Sequence, residues 1–111
     1  MYYLTADQHV HHIYSSPSGD VDQDLTALTG AAPAASGSAL SAFFESGTNF
    51  PENVYYLTAN QHVHHIYSSP SGDFDQDLTT LTGAAPALAG SALSAFFESR
   101  TNFPENVYYL H

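Results

Sequence analysis

A period of 53 residues constrains this chain more than any other feature. Tyr-Tyr-Leu occurs three times, and Leu4, Leu57 and Leu110 mark the register. Residues 1–53 align with 54–106 without a gap. They differ only at Met1/Val54, Asp7/Asn60, Val21/Phe74, Ala27/Thr80, Ala35/Leu88, Ser36/Ala89 and Gly47/Arg100. Residues 107–111 begin a third copy. The chain is therefore two units, 1–53 and 54–106, with a short overlap. Copies this alike arise by recent duplication or by engineering. A unit this small buries too little surface to stand by itself, so the copies are expected to stack and share a core.

One unit reads as follows. Tyr2 to Thr5 is a strand by its β-favouring aromatics and threonine. Ala6-Asp7-Gln8 is a tight turn, in which Asp7, or Asn60 in the second copy, takes the backbone a hairpin needs. His9 to Tyr14 is a second strand, and Ser15 to Gly19 is turn chemistry. Asp20 to Gly30 reads as a short, partly irregular outer strand. Ala31 to Gly37 is a loop of small residues around Pro33. Ser38 to Glu45 also fits a helix, through Leu40, Phe43 and Phe44, but its short length and the turn residues after it favour a strand. Gly47 to Asn53 is a turn into the next copy. Four short strands per unit is the signature of a β-propeller blade.

Charge narrows the partners. Eleven acids stand against one base, Arg100, for a formal net charge of −10. Nucleic acid needs Lys and Arg against its phosphates, so neither it nor an anionic membrane is expected as a partner. No apolar run approaches the ~18 residues of a membrane span. No signal peptide is expected in this chain, whose first residues lack a basic and a long apolar segment. Absence of cysteine removes disulfide and thiol chemistry. That is compatible with cytoplasmic expression and fixes no location.

The run Asp24-Leu-Thr-Ala-Leu-Thr-Gly-Ala-Ala-Pro33, then Gly37-Ser-Ala-Leu40, then Val54-Tyr-Tyr-Leu-Thr-Ala-Asn-Gln-His-Val-His-His-Ile-Tyr67 resembles the blade of tectonin-like, fucose-lectin-type β-propellers. The likeness covers nearly all of each unit. It implies a propeller fold and carbohydrate binding, with sugars held between blades by an aromatic platform, often Trp, together with Arg and Glu. This chain has no Trp and a single Arg, and His12 and His65 stand where that pattern has Glu. Tyrosine would then replace Trp as the platform. The implied sugar-binding set is Tyr3, Tyr14 and His12, with Tyr56, Tyr67 and His65 in the second copy.

Two other groups carry chemistry. His9 and His11, like His62 and His64, share one face of a strand, and His12 and His65 the other. Imidazoles two apart can ligate Zn²⁺ or Cu²⁺; the competing reading is structural histidines. Asp20, Asp22 and Asp24, repeated as Asp73, Asp75 and Asp77, alternate like the start of a calcium loop. They lack its following glycine and distal glutamate, and solvated turn acids are the competing reading. No cofactor is expected beyond an adventitious divalent metal. No enzyme is expected either, since no positioned nucleophile, phosphate loop or lysine is present. Glu45 and Glu52 could form an acid–base pair, but nothing in the sequence places them together.

The sequence thus predicts an all-β fold: a β-propeller of four-stranded blades, two per chain, completed by homo-oligomerisation. A homotrimer would close six blades and a homotetramer eight. Only one of Tyr2-Tyr3-Leu4 and Tyr108-Tyr109-Leu110 can fill the second-strand slot of a shared blade. The expected function is multivalent, lectin-like binding of glycans. The alternative is a self-assembling structural fragment with no ligand.

Overall fold

The computed structural model describes residues 1–49, 51–102 and 104–111. Phe50 and Phe103, in the predicted turns before the second and third copies, lie outside the described residues. The described residues form, in order, β1 (Tyr2–Leu4), β2 (Val10–Ser16), β3 (Gly19–Asp24), α1 (Leu25–Thr29), β4 (Leu40–Phe44), β5 (Glu52–Leu57), β6 (Val63–Ser69), β7 (Gly72–Asp77), α2 (Leu78–Thr82), β8 (Leu93–Phe97) and β9 (Glu105–Tyr109). The fold is mostly β. Its three antiparallel sheets are β1-β2-β3, β4-β5-β6-β7 and β8-β9.

Strand alternation explains how the sheets stack. Successive side chains of β5 point to opposite faces. Val54 and Tyr56, with Ile66, pack against Tyr2, Leu4 and Val10 of the first sheet and Leu25 of α1. Tyr55 and Leu57, with Val63, pack against Leu93, Val107 and Tyr109 of the third. The four-stranded sheet is therefore the middle layer. Val54, Tyr55, Tyr56 and Leu57 are each at most 2% exposed, whereas Tyr108, the repeat of Tyr55, is 61% exposed. Neighbouring sheets, not local sequence, set that difference.

Two local expectations are corrected. Residues 25–29 and 78–82 are helices, not the continuation of an outer strand. Asp24 Oδ1 accepts from Ala27 N at 2.9 Å, and Gly30 closes the turn at φ 70°. An N-cap aspartate and a left-handed glycine thus bracket one helical turn. Thr26 Oγ1 then accepts from Val10 N at 2.9 Å, which ties the helix to β2. The outer strand is Gly19–Asp24 instead. In the β1–β2 turn, positive φ falls on Gln8 and Gln61, not on Asp7 or Asn60. Gln8 N donates to Thr5 O and Thr5 N to His9 O, a three-residue loop whose last residue is left-handed.

The loop of small residues joins consecutive sheets. Ala34 N donates to Gln8 O of the first sheet at 2.9 Å, and Ala35 N to Leu57 O of the middle sheet at 2.7 Å. Ala87 and Leu88 repeat this toward Gln61 and Leu110. Among the described residues, no helix is long and apolar enough to cross a membrane.

Candidate functional site

A cleft lies between each pair of adjacent sheets among the described residues. Between the middle and third sheets it is lined by Glu45, Asn49, His65, Tyr67, Gln76 and Glu105, with a volume of about 490 Å³. His65 stacks on Tyr55, with ring centroids 4.3 Å apart, and donates from Nε2 to Asn53 Oδ1 at 2.7 Å. Burial drives its pKa down to about 4, against the opposing pull of Gln76 and Asp75. Glu45 is 2% exposed. Burial first, and the hydrogen-bonded Glu45 carboxyl second, push Glu105 up to about 7. Glu105 thus keeps its proton well above the ordinary carboxylate range, beside the buried Glu45. The partner of Glu45 is not Glu52 but Glu105, the copy of Glu52 one sheet further on.

The matching cleft between the first and middle sheets is lined by His12, Gln23, Glu52, Ser68 and Asp73 and is far smaller, about 20 Å³. That is room for about one water. His12 stacks on Tyr2 at 4.3 Å, and its Nε2 lies 3.4 Å from Glu52 Oε2. Burial lowers the His12 pKa, with Glu52 opposing, and burial raises that of Asp73. β6 and β7 supply Ser68 and Asp73 as a roof. The third sheet has no such strands among the described residues, so its cleft stands open.

The expected sugar-binding residues divide. His12 lies beside Tyr14 and His65 beside Tyr67, each ring pair 5.2 Å apart, and His12, His65 and Tyr67 line the clefts. Tyr56 is fully buried and donates its hydroxyl to Ala32 O at 2.8 Å, so it is a core residue. Tyr3 lies on the far face of the first sheet and donates to Asp22 Oδ1 at 3.1 Å. Of each Tyr-Tyr pair, the cleft-face residue is Tyr2 or Tyr55, which stacks on His12 or His65. Sequence reasoning missed Glu105 and Gln76 and read Asp73 as a metal ligand instead of a cleft residue, because their approach depends on stacking between sheets.

The alternating aspartates are not arranged as a calcium loop. They form a ladder on one face, each paired to β2 or to the turn before it. Asp20 accepts from Ser15 Oγ at 3.0 Å, Asp22 Oδ2 lies 3.0 Å from His11 Nδ1, and Asp24 Oδ2 lies 2.7 Å from His9 Nδ1. In the second copy His64 Nδ1 lies 3.0 Å from Asp75 Oδ2 and His62 Nδ1 2.8 Å from Asp77 Oδ2. Asp73 instead faces the first cleft. Burial alone would raise the Asp77 pKa, but hydrogen bonds from His62, Thr80 N and Thr80 Oγ1 hold it down at about 2.

Comparison with protein-family models, curated proteins and solved structures finds no match to this chain. The likeness to lectin propellers rests on the repeated sequence motifs alone.

Proposed function

We propose that the chain is a two-unit building block of a carbohydrate-binding β-propeller, which completes its sheets with further copies of itself. The repeated cleft between sheets carries this reading. Histidine, glutamine, glutamate and asparagine converge there beside a tyrosine ring. A few convergent polar groups in a concave site fix the hydroxyls of a small ligand, and the amphipathic tyrosine offers an apolar body with a polar tip. A glycan array, followed by calorimetry on the 111-residue chain, tests it. Binding of a fucosylated or methylated sugar, lost in Gln76→Ala and kept in Tyr3→Ala, supports the reading. No binding to any sugar overturns it.

The second reading, an assembling scaffold without a ligand, is favoured by the sheet edges. Among the described residues, β1 pairs only with β2, and β9 only with β8. Strand β9 of one copy fits on β2 of the next in place of β1, because both carry Tyr-Tyr-Leu. In the register of the middle sheet, Tyr55 lies opposite His65 and Asn53 opposite Tyr67. The same register would set Tyr108 on His12 and bring Asn106 to His12 as Asn53 meets His65. The strand β1 carries only the tyrosine. The result is a four-stranded sheet, β8-β9 from one chain and β2-β3 from the next. Three or four chains would close a ring of six or eight sheets, which also removes the raw edges.

A further inference from the structure

We propose that His9, His11 and Asp24 form a binding site for a divalent transition metal, and that His62, His64 and Asp77 form a weaker copy of it. One ligand atom from each of His9, His11 and Asp24 lies within 4.8 Å of the other two. His9 Nδ1 donates to Asp24 Oδ2 at 2.7 Å, a proton that metal binding would displace, and His11 Nε2 lies 3.6 Å from the same oxygen. Four ligands around Zn²⁺ at 2.0–2.1 Å stand about 3.4 Å from one another, so shifts of under about 1 Å would seat the ion. Two imidazoles and one carboxylate leave further positions open to water, a donor set suited to Zn²⁺, Fe²⁺, Co²⁺ and Ni²⁺.

The histidine orientation is the second observation. Asp22 Oδ2 lies 3.0 Å from His11 Nδ1 and itself accepts from Tyr3, through Oδ1, at 3.1 Å. A carboxylate only accepts, so the proton sits on Nδ1. In the neutral imidazole, Nε2 then points its lone pair at Asp24 Oδ2 across 3.6 Å, too far for a hydrogen bond. Two electron-rich atoms facing each other without a proton are a place for a cation. A ligand histidine whose other nitrogen donates to a carboxylate is the usual support around a bound metal. Side-chain exposures of 26%, 15% and 32% for His9, His11 and Asp24 leave an entry path.

The second copy repeats part of this geometry. His64 Nε2 lies 3.6 Å from Asp77 Oδ2, the same distance as in the first copy, and Asp75 takes the place of Asp22. Two of the seven differences between the copies fall at this cluster. Asp7 Oδ2 lies 3.9 Å from His9 Nε2, and Asn60 removes that charge. Ala27 becomes Thr80, whose Oγ1 donates to Asp77 Oδ2 at 2.9 Å and so competes for the ligand oxygen. Both changes weaken the second copy. His62 and Asp77, which lie between two sheets, still keep 23% and 31% exposure, so covering the first sheet in an assembly would not close its site.

Calorimetric titration of the full chain with Zn²⁺, and Co²⁺ absorption spectra, test this in a His111→Ala background that removes the terminal imidazole. One tight site per chain is expected, with a tetrahedral or five-coordinate Co²⁺ spectrum. His9→Ala abolishes it, and Asp22→Asn, a change of a positioning residue, lowers affinity roughly 10–100-fold. Asn60→Asp with Thr80→Ala only restores residues of the first copy, and it raises the stoichiometry to two tight sites. No saturable binding overturns the proposal, as does binding that survives His9→Ala. A stoichiometry that stays at one tight site in the double variant overturns the account of the second copy.

Discussion

Tyr55 and Tyr108 are the same residue one repeat apart, and replacing each by alanine measures what the neighbouring sheet contributes. Tyr55 is 2% exposed, stacked on His65 at 4.3 Å and beside Phe43 at 5.7 Å. A buried aromatic covers about 150–250 Å², which at ~25 cal/mol/Å² is about 4–6 kcal/mol. Measured truncations of this kind cost about 3–5 kcal/mol. Tyr108 is 61% exposed, so the same arithmetic gives about 2 kcal/mol for a separate chain. In the proposed shared sheet, Tyr108 would lie on His12 and be covered like Tyr55. Its cost then rises to about 3–5 kcal/mol. Urea unfolding, followed by circular dichroism at low and high protein concentration, separates the two cases. Tyr55→Ala should be costly at both concentrations, and Tyr108→Ala only at the higher. A small Tyr108→Ala effect at every concentration would refute the shared sheet.

Further outcomes follow from the clefts and caps. Glu105 holds its proton more tightly folded, at about 7 against an ordinary 4.5, so its contribution is full below about 4.5 and is lost as pH rises to about 7. His65 has the opposite sign, since its pKa is depressed to about 4 from 6.5, and its contribution is lost as pH falls through that window. Glu105→Gln should therefore make stability rise more steeply between pH 4.5 and 6.5 than in the parent chain; parallel profiles would exclude the carboxyl pair. Asp77→Asn keeps an N-cap but removes a carboxyl held near 2 instead of 3.8. Between pH 3.8 and 2 the parent should lose more stability than the variant, in which Asp24 and Asp7 still contribute a loss of the same sign. Thr26→Val takes the acceptor from the buried Val10 N–H and should cost about 1–3 kcal/mol in chemical unfolding.

Much of the fold was legible because hairpins are local. Period-two patterning and the Ser-Pro-Ser-Gly turn set β2 against β3, and the pairing of Ser16 with Gly19 brings His11 opposite Asp24. His9 and His11 were visible as a pair on one face; their carboxylate needed that register. The short helices were hidden by threonine-rich sequence and a length of five residues, although Asp24 and Gly30 bracket them with a cap at each end. Glu45 and Glu105 are distant in sequence and meet only because one sheet lies on the next. That contact cannot be read from periodicity. The three environments of Tyr-Tyr-Leu show the same limit: identical residues are core in β5 and half-exposed in β1.

The native mass of the 111-residue chain, by native mass spectrometry and light scattering, tests completion of the sheets by further copies most directly. One protomer is 11.9 kDa. A discrete species of three or four protomers is expected, kept when residues 1–4 are removed and lost when residues 104–111 are removed. A monomer at every concentration would contradict it.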